Sequence, residues 1–503
     1  MRVSFDPKLD GFAFDNSFTN KVQIAGIPIT ETLGRCGGMA FAALDYWHHM
    51  VRIPVEPALP GDGIPLAEYI YDRLITSIVN NWPMFFHFMR TPDHPTWLNG
   101  IGVARATREE QYPKLKTLLE QGLPQPIGLV QSRDVGGFAR DHQVVAYGYE
   151  EDGDSSRVFI WDNRYPGAEG VLEFTSVYDP GNRFVHQDNG QEWRGFFVEN
   201  YSPQLPWYLA NGKLLSDQGD ARIYVIYAGA KFWITSPDEF DRLGLRWSEV
   251  LELKDGSLNY ISTIPGDRAV LREIDDAPVS VTYGGKGFHI PDPDTLFRLG
   301  FTWNDVRVVP AGGFSALDKA PRDLALLKEE TAAAVYVVEH GELRHVPDPE
   351  TFAARGFRWD RIGVVPDGGL ADIPVGPPLP PSHPTAWSER PGGHLVTRDL
   401  DRVDYQVEAG ARPDDEVEFV IRLGDGITWR KEIVLQADDG EWTIAAHDDV
   451  RSDANGLYRY QLANGGLRLR KAKAFGVMTD VLELGDLARL PVGARVTFTW
   501  VRD

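Results

Sequence analysis

The sequence predicts a multidomain α+β protein, and three observations carry that prediction. Helical periodicity gives way to β alternation over residues 1–205, a 56-residue α/β pattern recurs three times within 221–375, and alternating strands and turns fill 386–503 as an all-β sandwich. A chain of 503 residues accommodates three such parts at roughly 150 residues per domain. Its 43% apolar and 11% aromatic content suffices for packed cores and argues against a mainly disordered chain.

The first part reads helix by helix. CGGMAFAALDYWHHM is helical, with Met39, Ala43, Trp47 and Met50 on one side. LAEYIYDRLITSIVNNW follows, with Leu66, Ile70, Leu74 and Ile78 at helical spacing. A third helix is expected to start at a capping box, Thr107 and Glu110, ahead of YPKLKTLLEQG. The chain then turns β-rich in PIGLVQS, HQVVAYGYE, SRVFIWD and GVLEF, with EDGDSS as a hairpin turn.

In the middle of the chain, Trp247, Trp303 and Trp359 are spaced by 56, as are Gly244, Gly300 and Gly356, and Pro237, Pro293 and Pro349. Each copy reads as two short strands, a helix opened by Pro and closed by Gly, and a Trp. Units this small rarely bury a core alone, so the three should stack as an array. The Trp beside the repeated Gly is expected to be buried. The Pro-rich IPVGPPLPPSHPT (373–385) is a stiff spacer, and Gly-Asp-Gly and Asn-Gly-Gly beyond it mark hairpins of the sandwich. The acidic DDVRSDANG, with Asp453, Asn455 and Gly456, lacks a full calcium-ligand set and reads as a solvated turn.

Charge and cysteine usage narrow the function. With 51 Lys+Arg against 73 Asp+Glu the net charge is −22, which disfavours nucleic acid and anionic membrane as partners, because phosphates call for clustered cations. No run of 18 apolar residues predicts a membrane span, and MRVSFDPKLDGFAFDN does not read as a signal peptide. The default location is cytoplasmic, with leaderless export open. A single cysteine, Cys36, excludes an internal disulfide framework and Cys-rich zinc sites. His48, His49, His87, His94 and His186 lack ligand spacing, so neither metal nor organic cofactor is implied.

The candidate chemistry lies in the first 205 residues. Cys36 follows the loop ETLGR and starts a helix, where unpaired N–H groups and the dipole favour a thiolate. Gly37 and Gly38 beside it suit close approach of a substrate to the backbone. His142 opens a strand, and the returning strand of its hairpin ends at Asp162-Asn163, within reach of the imidazole. A thiol, a base and an orienting group make a nucleophilic triad.

GRCGGMAFAALDYW, DHQVVAYGYE and VFIWDNRYPG together resemble the papain-like cysteine peptidases, and most closely their bacterial branch of bacteriocin-leader peptidases and related acyltransferases. The resemblance covers about residues 20–175. It implies a helical lobe carrying Cys36 as nucleophile against a β lobe carrying His142 as base and Asp162 as orienter, with Asn163 in reserve. The family's Gln, about six residues before the Cys, is Thr30 here. Losing one oxyanion donor commonly costs about 10²–10³ in turnover, and the Thr30 or Thr32 hydroxyl is the candidate replacement. The resemblance thus implies a hydrolase or acyltransferase acting on an amide, isopeptide or thioester carbonyl, with repeats and sandwich recognising a protein, peptide or glycan. Two rivals stand beside it: an inactive scaffold that keeps the fold, and a deamidating effector.

Overall fold

The computed structural model describes residues 1–19 and 34–379 with their side chains, except 96–100 and the side chain of Glu350, and the backbone of the strands within 20–33 and 385–502. The chain divides into two compact units, residues 1–346 with 355–378, and residues 347–354 with 379–503.

The first unit opens with a hairpin, β1 (Thr19–Ile24) and β2 (Ile27–Leu33), then helices α1 (Cys36–His48) and α2 (Pro65–Arg90). Sequence periodicity ends α2 at Trp82, before Pro83, but the helix runs on to Arg90. Proline in a helix interior costs about 3 kcal/mol. The extension buries Phe85, Phe88 and Met89 against Phe138 and Phe197, each burial contributing roughly 1.5–3 kcal/mol, so packing prevails.

The expected capping box is also displaced. The third helical run starts earlier, as α3 (Val103–Ala106), passes through a π-turn at Thr107–Gln111 and continues as α4 (Tyr112–Glu120). Thr107 is fully buried and caps nothing. Its hydroxyl donates to the Phe196 carbonyl at 3.2 Å and accepts from the Phe196 N–H at 3.1 Å, fastening the helix to the sheet.

That sheet is antiparallel and seven-stranded: β3 (Gln125–Val130), β4 (His142–Asp152), β5 (Ser155–Trp161), β6 (Glu169–Thr175), β7 (Val185–Gln187), β8 (Glu192–Trp193) and β9 (Gly195–Val198), in the order β8-β7-β6-β5-β4-β3-β9. Helices first and an antiparallel sheet second is the α+β arrangement anticipated from sequence. Helix α1 is buried along nearly its whole length, between α2 on one side and β3 and β4 on the other.

Two contacts set the height of α1. A Cβ on Gly38 would overlap the Ile70 carbonyl oxygen of α2, so the helices meet backbone to backbone at that point. Two turns on, the fully buried Asp45 pairs with Arg73 of α2 at 2.7 Å and accepts from the Tyr69 and Tyr201 hydroxyls and the Gln204 N–H. Every lone pair of this carboxylate that faces the core is thereby used, as burial of a charge requires.

The 56-residue units follow. Each begins with a strand that sequence reading missed because it is short and half polar: β10 (Leu214–Asp217), then β11 (Ile223–Tyr227), β12 (Ala230–Ile234), helix α5 (Pro237–Arg242) and β13 (Val250–Leu253) in the first copy. The sheet order is β12-β11-β10-β13, with β13 parallel to β10. The second copy repeats this with β14 (Val270–Glu273), β15 (Val279–Tyr283), β16 (Lys286–Ile290), α6 (Pro293–Arg298) and β17 (Val306–Val309). The third has strands β18 (Leu326–Glu329), β19 (Val335–Glu339), β20 (Glu342–Val346) and β21 (Gly363–Val365) in the same order. The repeated glycines sit just past the helices with φ of +69°, +82° and +65°, the left-handed conformation expected there.

The copies do pool their cores. Leu214, Phe232 and Phe240 of the first pack with Leu271 and Val309 of the second, and Val281 and Phe288 of the second pack with Leu327, Val338 and Leu370 of the third. Leu215, Ile226 and Leu258 of the first copy join the core of the N-terminal segment. Arg52 reaches across to Asp318 at 2.9 Å, and the Arg361 guanidinium lies over Trp47.

The tryptophans depart from expectation. Trp247, Trp303 and Trp359 open 3-10 turns and are 52%, 54% and 61% exposed. In the first two copies the interior place is filled from the helix instead, by Phe240 and Leu296. Trp247 lies outside, stacked on Phe240 with ring centres 4.1 Å apart, its Nε1 donating to Asp241.

The second unit contains α7 (Pro349–Ala354), whose first turn is capped by Asp348 accepting from the Thr351 N–H at 2.6 Å. Beyond it Thr385–Ser388, Val417–Arg422 and Leu457–Leu462 form a three-stranded antiparallel sheet. Five further strands form a second sheet, with Arg495–Arg502 at its centre between Arg402–Val407 and Trp429–Ala437. Asp453, Asn455 and Gly456 lie outside the described residues. Among the described residues no helix is long and apolar enough to cross a membrane.

Gly38→Ala should lower unfolding free energy by about 1–3 kcal/mol in a denaturant titration, since its methyl meets backbone that cannot rotate away. A change within about 0.5 kcal/mol would contradict the close approach described above.

Candidate active site

Cys36 is the first residue of α1 and is partly exposed. The loop before it is shaped by Gly34, at φ +95°, whose N–H donates to the Phe18 carbonyl and whose missing side chain leaves room for the Asn16 amide. Asn16 in turn accepts from the Arg35 N–H, and Arg35 at the N-cap contributes no side-chain cap. Among the described residues no side chain caps the opening N–H groups of α1, which leaves a concentration of positive partial charge beside the sulfur.

His142 begins β4, 6% exposed, with Trp193 stacked on its ring face at 6.1 Å and an interplanar angle of 14°. Its Nε2 bonds to Asp162 Oδ1 at 2.8 Å. Cys36 also acts on the imidazole, and with Nε2 engaged by Asp162 the nitrogen left to face the sulfur is Nδ1. The hairpin anticipated from sequence produces this geometry: β4 and β5 are paired from Val145↔Trp161 onward, so the residue after β5 returns beside the start of β4.

Burial alone would disfavour the charged imidazole. The carboxylate of Asp162 and the hydrogen bond and charge of Cys36 overcome that penalty and hold the His142 pKa at about 9. Asp162 is likewise penalised by burial, but His142 and Arg164 hold its carboxyl far below the usual carboxylate range. The pair contributes to stability in one pH window. The His142 part is complete below its ordinary value near 6.5 and is lost as pH rises through about 9.

Asp162 is itself held from three sides. Arg164 Nη2 donates to Oδ2 at 2.6 Å, Gln187 Nε2 donates to the same oxygen at 2.9 Å, and the Arg164 N–H reaches Oδ1 at 3.1 Å. Gln187 Oε1 accepts from Trp193 Nε1 at 3.1 Å, so the ring over His142 and the carboxylate behind it share one support.

Asn163 is placed differently from a reserve orienter. Its Nδ2 donates to the Cys36 carbonyl at 3.1 Å and to the Gln143 carbonyl at 2.9 Å, tying the start of α1 to β4. As the next residue along the chain from Asp162 it projects the other way, which leaves the imidazole to Asp162 alone. Thr30 lies in β2, paired with Val22; its side chain, and that of Thr32, lie outside the described residues.

Gly37 and Gly38 give room to protein rather than to substrate. A Cβ on Gly37 would overlap Gln143 Oε1 and Ser77 Oγ, and Gly38 meets Ile70. Sequence reasoning missed Gln143, Arg164, Gln187 and Trp193. Gln143 and Arg164 each stand one place from a flagged residue, whereas Gln187 and Trp193 come from the distant strands β7 and β8 without a local signature.

Among the described residues no three His, Cys, Asp or Glu side chains cluster as metal ligands. Cavities of about 450 Å³ beside Arg108 and His186, and about 290 Å³ between His289 and Trp303, include none of Cys36, His142 and Asp162. No protein-family model matches this chain, and no curated protein does either.

In Asp162→Asn the His142 titration followed by NMR should fall by about one to three units, because the counter-charge is gone while the burial remains. An unchanged midpoint would show that Asp162 does not set the imidazole's charge.

Proposed function

We propose that the protein is a papain-like cysteine hydrolase or acyltransferase acting on an amide, isopeptide or thioester carbonyl. The observation that carries the reading is the order of contacts from Asp162 through His142 Nε2 to the partly exposed Cys36 thiol at a helix N-terminus. In this reading the sulfur, as thiolate, attacks the carbonyl carbon while His142 holds the proton. The carbonyl oxygen becomes an anion and is met by the uncapped N–H groups at the start of α1. His142 passes its proton to the departing nitrogen or sulfur, whose bond to carbon breaks and leaves an acyl-enzyme. Water, or a second nucleophile in acyl transfer, then gives its proton to His142 and releases the acyl group. Asp162 stays ionised throughout and steadies the ring.

The tandem units and the C-terminal strands would recognise a protein, peptide or glycan. The exposure of Trp247, Trp303 and Trp359 supports such a role for the repeats.

A thiol-directed activity probe should label the wild type and leave Cys36→Ser unlabelled, with His142→Ala slowing the reaction by about 10²-fold or more. Turnover should fall above about pH 9, where His142 loses the proton it must donate. Labelling that appears only after denaturation would favour a scaffold that keeps the fold without the chemistry.

A further inference from the structure

A second polar chain runs from Cys36 through Gln143 to Glu199. Gln143 is 3% exposed, and its Oε1 accepts from the Cys36 thiol at 3.9 Å and faces Ser77 Oγ at 3.4 Å. Its Nε2 donates to Glu199 Oε1 at 2.7 Å. Glu199, just past β9, is 4% exposed, and its second oxygen, Oε2, has no hydrogen-bond partner among the described residues. The space left by Gly128 is taken first by the Phe197 ring, with Glu199 Oε1 beside it, 3.1 Å from where a Cβ would stand. Neither residue has a part in the triad.

A carboxamide carries a donor at one end and an acceptor at the other, nearly equal in size. In the orientation described, its carbonyl faces a thiol and its N–H faces a carboxylate, which satisfies both neighbours. A thiolate facing the same carbonyl would meet a negative dipole. Turned about its terminal bond, the amide offers N–H to the sulfur and its carbonyl to Glu199, which must then be a protonated donor. Ser77 accepts either orientation, because its hydroxyl already donates to the Leu74 carbonyl and can accept from an N–H.

We propose that Gln143 and Glu199 are positioning residues for the sulfur: the Gln143 amide presents N–H to a Cys36 thiolate when Glu199 is neutral, and its carbonyl when Glu199 is ionised. The inference rests on Cys36 being the nucleophile proposed above. The amide thereby couples two ionisations: a protonated Glu199 favours the charged sulfur, whose own proton is on His142, and loss of the Glu199 proton to solvent turns the amide and favours the thiol. Burial, opposed only by the Gln143 hydrogen bond, pushes the Glu199 pKa to about 8, so the neutral form prevails at neutral pH.

The other charged groups around the relay are committed elsewhere. His142 is paired with Asp162 and Cys36, Asp162 with Arg164, and Arg73 of α2 with Asp45. Among the described residues no cation acts on Glu199 to hold it ionised.

The test is the rate of iodoacetamide labelling of native Cys36, the sole cysteine, against pH. Below about pH 8 wild type and Glu199→Gln should label alike; above it wild type should fall about tenfold behind, the worth of a hydrogen bond to a charged sulfur. Parallel profiles, or labelling of neither protein, overturn the proposal. Gln143→Met keeps the volume without the dipole. It should label about tenfold slower than wild type below pH 8, and adding Glu199→Gln to it should change nothing further. Equal rates for Gln143→Met and wild type, or a full Glu199→Gln effect in the Met background, also overturn it. His142→Ala separates the two readings. Slowed labelling with parallel wild-type and Glu199→Gln profiles keeps the triad and removes the relay, whereas unslowed labelling removes the triad itself.

Discussion

The constraint on which the site depends is the closeness of α1 to α2. At Gly38 there is no space for a methyl group beside the Ile70 carbonyl, and two turns further the Asp45–Arg73 pair closes the same gap with charge. Together they fix the helix both along its axis and about it. A buried ion pair is a poor source of net stability, but leaving one member unpaired is costly, so it discriminates strongly against any other seating of the helix. The first residue of α1 inherits that precision. Cys36 comes beside the start of the interior strand β4, where His142 lies, and Asn163 bridges the Cys36 and Gln143 carbonyls.

Around this seat two polar systems divide the work. One is ionic, in which Asp162, tied to Arg164 and Gln187, stays charged in a buried place and lends that charge to His142. The other is formally neutral, in which an amide separates the sulfur from a carboxyl group that burial tends to keep protonated. Low dielectric strengthens both, and it is also what makes an unmatched lone pair such as Glu199 Oε2 consequential.

Much of the site's primary layer could be read from sequence because it rests on local rules. A helix start after a glycine loop marks Cys36, and a strand–turn–strand unit of fixed length returns Asp162 to His142. The supporting layer was illegible for the opposite reason. Trp193 and Gln187 reach His142 and Asp162 from strands added at the far edge of the sheet, and nothing near them in sequence signals it. Gly37 and Gly38 were legible as special but not in purpose, since only the tertiary arrangement shows that they are filled by Gln143, Ser77 and Ile70. Helix ends misled in the same way. Pro83 and Thr107 carry strong local signals, and buried aromatic packing overrode the first while a bond to Phe196 claimed the second. In the 56-residue units, period and glycine geometry were plain, yet side-chain direction at Trp247, Trp303 and Trp359 was not, because large apolar residues serve equally at a core and at a surface.

The pooling of apolar interiors across the boundaries of these units has a mechanical corollary. Leu271 and Val309 belong by sequence to the second copy but are shielded by the first, and the first is shielded in turn by the N-terminal segment. Load or heat applied to this series cannot release a middle copy without stripping the cover from its neighbours. Loss of order must therefore begin at an end and travel inward, as a zipper does.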